Sequence, residues 1–226
     1  RLLLAAAASA NATSRAGGHP LAAAVLQGHR ECARLLRKAG GDVNQSARGP
    51  LSPICLAAQA GCTDSVHALL AARAEVTPDA LLHAATSGSL DVLIMLLKVS
   101  PLDWDSRSKS LLLAAAANGR TGVVVHLCRQ TGLLGACTRW RSRDHVGDTA
   151  LCAAARHGHL GVVQALIRHF PSDRLGVPNL LGETPLHLSF SHGHLDCASI
   201  LMAGGAQADD NELRVHVACF KRSKMR

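Results

Sequence analysis

Two short runs in this 226-residue chain have residue types that could do chemistry: His157-Gly158-His159 and His192-Gly193-His194. Brought together, they would supply four imidazoles, and neutral imidazole is a common metal ligand. No cysteine pair or acidic residue completes a close-spaced ligand set with them. The expectation is therefore no metal, with each histidine hydrogen-bonding beside a glycine turn. The eight cysteines, Cys32, Cys55, Cys62, Cys128, Cys137, Cys152, Cys197 and Cys219, raise nucleophilic catalysis as a second possibility. No nucleophile elbow, phosphate-cradling loop or paired-carboxylate motif accompanies them. Gly17-Gly18 lacks the Gly-Lys-Ser/Thr continuation of a phosphate loop. The sequence reads as non-catalytic and without a cofactor.

The elements that must position these residues recur along the chain. Six glycines anchor the pattern: Gly28, Gly61, Gly88, Gly119, Gly158 and Gly193, at steps of 33, 27, 31, 39 and 35 residues. Seven residues before each stands Leu21, Ile54, Leu81, Leu112, Leu151 or Leu186. Four before stands Ala24, Ala57, Ala84, Ala115, Ala154 or Ser189. Eight after stands Leu36, Leu69, Leu96, Leu127, Leu166 or Leu201. Periods of this length belong to stacked repeats, in which each unit buries its apolar face only against its neighbours. Each unit reads as two short helices around a glycine turn, with apolar residues at helical spacing in the second, as in Val162, Val163 and Leu166. Gly40-Gly41 and Gly204-Gly205 close two units, and Arg73 stands where a third closing glycine is expected.

Composition supports an all-α chain forming one elongated body. Apolar residues make up 48% and aromatics only 2%, so the core must be Leu, Val, Ile and helix-favouring Ala. Cys32 and Cys197 share one slot of the pattern, and Cys55 and Cys152 another, which marks them as small hydrophobes in a reducing, intracellular setting. No apolar run approaches the roughly 18 residues that a membrane span needs. The net charge of +8 points to an acidic partner. Without interleaved aromatics, no nucleic-acid platform is expected.

Gly182-Glu183-Thr184-Pro185-Leu186-His187-Leu188 followed by Gly193-His194-Leu195-Asp196 resembles the ankyrin repeat consensus. Asp148-Thr149-Ala150-Leu151 with Gly158-His159-Leu160-Gly161-Val162-Val163 is nearly as similar, and Gly18-His19-Pro20-Leu21 with Gly28-His29-Arg30-Glu31 more loosely so. The resemblance implies a helix-turn-helix solenoid with short inter-repeat β-turn hairpins. Six units span residues 18–206. Residues 1–17 fall in register with the end of a preceding partial repeat, Asn11 aligning with Asn44. Residues 207–226 resemble the opening of a further repeat or a basic tail. A rival reading of the N-terminal Leu/Ala run is a signal peptide. The register at both ends is what a fragment of a longer array would show. In the third unit Pro78-Asp79-Ala80 replaces the usual turn, and residues 134–143 are extra.

Recognition is the expected function. Trp104 and Trp140 fall between units, and Arg139, Arg141 and Arg143 flank Trp140; exposed Trp and Arg are enriched at binding hot spots. The resemblance adds a groove lined by the residues just before each glycine: Leu26, Gln27, Gln59, Thr86, Asn118, Arg156, His157, Ser191 and His192. The chain therefore reads as a protein-protein interaction scaffold. The alternative is a regulatory or substrate-recognition segment of a larger enzyme, channel or ubiquitin-ligase adaptor.

Overall fold

The computed structural model describes residues 9–12, 19–44, 51–99, 104–130, 143–170 and 175–207. Backbone contacts divide the chain into two compact units, Arg1–Leu102 and Asp103–Arg226. The described residues contain twelve helices and no β-strand. The first unit pairs α1 (Pro20–Leu26) with α2 (Arg30–Lys38), α3 (Pro53–Ala60) with α4 (Thr63–Ala71), and α5 (Pro78–Ser87) with α6 (Leu90–Val99). The second pairs α7 (Trp104–Ala117) with α8 (Thr121–Gln130), α9 (Ala150–Arg156) with α10 (Leu160–His169), and α11 (Pro185–Ser191) with α12 (Leu195–Ala203).

All six anchor glycines adopt left-handed backbone, with φ between +69° and +84°. Each ends the first helix of its pair in the same way. The residue after the glycine donates its N–H to the carbonyl of the small residue four before it: His29 to Ala24, Cys62 to Ala57, Ser89 to Ala84, Arg120 to Ala115, His159 to Ala154 and His194 to Ser189, at 2.8–3.1 Å. This is the wrap-back closure of a helix C-terminus. The small residues are buried where the first helices stack, so a larger side chain there would hold neighbours apart.

The second helices bury the apolar stripe that their spacing implies. Leu69, Leu96, Leu127, Leu166 and Leu201 are all buried. Leu36 of the first pair is only half-buried. Cys55, Cys152 and Cys197 are buried, but Cys32 is exposed, which corrects its reading as a core residue. The position four after the glycine reaches back to the preceding pair, as Ser65 Oγ does in donating to the Val25 carbonyl at 2.6 Å. No described helix pair precedes α1 and α2 to cover Cys32.

Helix entry follows from the cap residues. Thr77, Thr149 and Thr184 accept hydrogen bonds from the N–H groups of Ala80, Cys152 and His187, the expected role of a hydroxyl at an N-cap. Pro78 is therefore an ordinary first helical residue after a Thr cap. His19 occupies the same place before α1 and makes no such bond; it is buried, and its Nδ1 has no partner among the described residues. His19→Thr is expected to stabilise the first unit by about 1 kcal/mol, seen as a higher urea midpoint. Arg73 has φ +63°, the only left-handed non-glycine among the described residues. It closes α4 as Gly40 closes α2 and Gly205 closes α12. Left-handed backbone costs an L side chain about 1 kcal/mol, so Arg73→Gly should raise the melting temperature, and an unchanged melt would show the strain to be absent.

The Asn11 register has a physical basis. Asn11 Oδ1 accepts from the Asp42 N–H at 2.8 Å, and Asn44 Oδ1 accepts from the Glu75 N–H at 2.9 Å. Each bond spans 31 residues, so the two asparagines do the same work one repeat apart.

Candidate functional site

In the second unit the histidines of the two His-Gly-His runs divide their tasks. His159 Nε2 donates to the Ala117 carbonyl at 3.0 Å, and His194 Nε2 donates to the Arg156 carbonyl at 3.1 Å. A carbonyl only accepts, so Nε2 must carry the proton in both. Each bond joins one turn to the turn before it. The other face of each ring lies over the preceding glycine: a Cβ at Gly119 would meet His159 Nδ1 at 2.8 Å, and one at Gly158 would collide with the His194 ring. These glycines therefore supply both the left-handed turn and the space for the next ring. His157 and His192 are exposed on the outer side, with ring centroids 5.9 Å from His159 and 6.5 Å from His194 respectively. His192 Nδ1 donates back to the Leu188 carbonyl at 3.0 Å. Among the described residues no group of three or more His, Cys, Asp or Glu is placed to hold a metal ion.

The His157 pKa is lowered, first by partial desolvation of a ring that remains largely exposed, and then by the charges of His159, Arg156, His192 and His194. A folded pKa below the ordinary value of about 6.5 means that the unfolded chain binds the proton more readily. The stability this histidine contributes is present above pH 6.5 and is lost as pH falls through the lowered folded value. The melting temperature of the second unit should fall between pH 7.5 and 5.5, and His157→Gln should flatten the decline. An identical profile in the variant would assign the effect to another group.

Arg156 sits in a network that the spacing alone did not reveal. Its Nε donates to Asp148 Oδ2 at 2.9 Å, and its terminal nitrogen bonds Asp148 Oδ1 at 3.2 Å and Glu183 Oε2 at 3.3 Å. Asn179 Nδ2 donates to Asp148 Oδ1 at 2.8 Å and to Glu183 Oε2 at 2.9 Å, while its Oδ1 accepts from the N–H groups of Leu181 and Glu183. Asp148 and Asn179 are buried. Arg156 thus joins the turns before α9 and α11, and its guanidinium is held by framework carboxylates. Arg143 has a similar role, donating to the carbonyls of Gly147 and Pro178 at 3.3 and 2.9 Å.

The network fixes a turn that presents Leu180 and Leu181, which are 73% and 70% exposed. Leu180 leans on Gly147, where any side chain would displace it. Neither leucine was singled out from the sequence. The available signal was a Leu-Leu pair at the tip of an Asn-to-Gly turn.

The other candidate residues are dispersed over both units. Gln27 and Gln59 are exposed, and Thr86 is half-buried, its hydroxyl donating to the His83 carbonyl at 3.0 Å in the first unit. In the second unit Asn118, Ser191 and His192 are exposed; Asn118 donates to Ala114 O and Ser191 to Leu188 O. Trp104 begins α7 rather than lying in a turn between units; no glycine or proline interrupts residues 104–117, so the helix extends back to it. The side chains of Leu26 and Trp104, and all of Arg139, Trp140 and Arg141, lie outside the described residues. The buried thiols of Cys152 and Cys197 have raised pKa values, mainly through burial, so neither is an activated nucleophile at neutral pH.

Helix pairs closed by left-handed glycines, stacked through small residues and tied turn to turn, define the class of repeat to which the chain is most alike. The family description "Ankyrin repeats (3 copies)" matches residues 131–212, and "Ankyrin repeat" matches residues 17–48. Together they cover 114 of the 226 residues. The chain belongs to the ankyrin repeat family. Its fold is similar to the human ASB11 ankyrin repeat domain, with a TM-score of 0.71, 22% identity and 92% of each chain covered. It is also similar to the ankyrin repeat domain of Bcl-3, at TM-score 0.66, 22% identity and 89% of each chain. A curated relative, the E3 ubiquitin-protein ligase XBAT33 of Arabidopsis thaliana, is 37% identical over 68 residues, which is 30% of this chain and 13% of that protein. Among the described residues no helix is long and apolar enough to cross a membrane.

Proposed function

We propose that this chain is a non-catalytic interaction module that holds a protein partner through its turn tips and the exposed residues before the anchor glycines. The supporting observation is Leu180 and Leu181, held in water on a turn whose backbone is pinned by Asn179. Among the described residues none covers these two side chains, and apolar side chains on a rigid support lose little entropy when a partner covers them. Gln59, Asn118, Ser191 and His192 vary in chemistry from repeat to repeat while the glycines do not, as selective recognition requires. The net charge of +8 and the arginines at 139 and 141 favour an acidic segment in the partner and speed encounter with it, whereas Arg143 is engaged by the Gly147 and Pro178 carbonyls. The setting proposed is intracellular.

A second reading takes the chain as the substrate-recognition part of a larger protein, and it is favoured by the match to an E3 ubiquitin-protein ligase. Affinity capture with mass spectrometry tests the first reading. Leu180→Ser with Leu181→Ser should leave the melt unchanged and lose the captured partner. Changing Arg139 and Arg141 to Glu should weaken capture and its salt dependence. Full capture by both variants would remove the turn tips from the binding surface. Co-purification with a ubiquitin-transferring enzyme would favour the second reading.

A further inference from the structure

The second helices of neighbouring repeats pack directly in α4 with α6, α8 with α10, and α10 with α12, but α2 and α4 do not pack in this way. A cavity of about 180 Å³ opens between them. Its lining is apolar: Leu21, Val25, Ala33, Val43, Ala68 and Leu69. Ala33 occupies the position that holds Val66, Leu93, Val124 and Val163 in the next four repeats and Ala198 in the sixth, so α2 offers only a methyl group to the space before α4. Leu21, Val25 and Leu69 are themselves buried, which makes them the floor of a slot rather than a surface patch.

Two arginines stand at the mouth. Arg37 donates to the Ala71 carbonyl at 3.3 Å, a bond that holds it across the opening from α2 to α4. Arg34 is paired with Glu31, but both side chains are well exposed, at 43% and 62%. An exposed pair of this kind is worth little in water and exchanges readily for another carboxylate.

We infer that this slot binds a partner segment carrying one large apolar side chain with a carboxylate next to it in sequence. The size fits: an apolar protein cavity of about 150 Å³ accepts benzene, so a phenylalanine ring enters a slot of this volume. An empty apolar slot forfeits dispersion contacts along its lining, and the ring restores them. Arg37 and Arg34 then meet the flanking carboxylate, for which a guanidinium fork is suited. None of the turn-tip or pre-glycine residues proposed above lines the slot, so the two sites are tested separately.

The test is a methyl NMR titration of the full chain with the probe acetyl-Glu-Glu-Phe-Glu-Glu-amide. Saturable shifts are expected at the methyls of Leu21, Val25, Val43 and Leu69. Affinity should fall at least tenfold when the probe phenylalanine becomes alanine, and likewise when its glutamates become lysines. Ala33→Leu fills the slot from α2, and Arg37→Glu reverses the mouth charge; each should weaken binding by a similar factor. Ala68→Leu fills the slot from α4 and keeps the test intact if Ala33→Leu does not fold. Absence of saturable slot shifts, equal binding by the folded variants, or shifts confined to the pre-glycine residues would overturn the inference. So would contacts from the chain's own Leu2 to Leu4 with the slot methyls, because the slot would then already be filled.

Discussion

Asp148→Ala is expected to destabilise the second unit by about 3 kcal/mol, the scale of losing one partner from a largely buried ion pair. Asp148 is only 3% exposed and accepts three hydrogen bonds from side chains, two from Arg156 and one from Asn179. Its removal leaves a part-buried guanidinium with Glu183 as its remaining carboxylate in the network. A guanidinium does not give up its proton in a protein, so without Asp148 it stays charged and cannot escape by neutralisation. Hydrogen exchange is the sensitive readout. Amides of α9 and α11 should exchange about a hundredfold faster, while those of α3 and α5 should not change. Asp148→Asn retains the shape and one acceptor, so it should fall between the alanine variant and the parent. If both exchanged at the parent rate, the network would be decoration on a turn held by other contacts.

Gly158→Ala is expected to cost the same unit about 2–3 kcal/mol, from two sources. Left-handed backbone at φ +70° penalises a Cβ by about 1 kcal/mol. The added methyl also collides with the His194 ring, which must leave its bond to the Arg156 carbonyl and expose or orphan that acceptor, at about 1–2 kcal/mol. Gly193→Ala separates the two contributions. Gly193 has φ +79° but nothing within 4 Å of its Cβ position, so only the backbone cost of about 1 kcal/mol applies. Urea midpoints of the two variants measure the difference. Equal losses would show that the His194 ring yields freely.

Much of the fold was legible because the repeat restates the same physical requirement six times. Each glycine had to be left-handed, each small residue had to sit where helices approach, and each leucine eight residues later had to find a core. Even the departure at Arg73 was visible, as a side chain standing where a glycine closes other repeats. Leu36 and Cys32 show where the pattern fails: their types fit the register, yet among the described residues neither finds the cover that its counterparts in later repeats have. The site was less legible. Arg156 was singled out for binding because it precedes a glycine, but its guanidinium is committed to Asp148 and Glu183. Leu180 and Leu181 passed unnoticed because leucines in an apolar chain carry no signal until their exposure is known.

The sequence by itself determined the class of the chain. Period, helix propensity and glycine turns are local properties, and a stacked repeat needs little more than local rules applied in series. Only the tertiary structure decided which of the chemically interesting residues are occupied and which are offered. His159 and His194 are used in joining turns, Arg156 and Arg143 in bracing them, and two leucines are left outside. Between α2 and α4 a missing side chain becomes a slot. The physical reason is that satisfaction of a polar group, or burial of an apolar one, depends on a partner about thirty residues away, and no local window contains it.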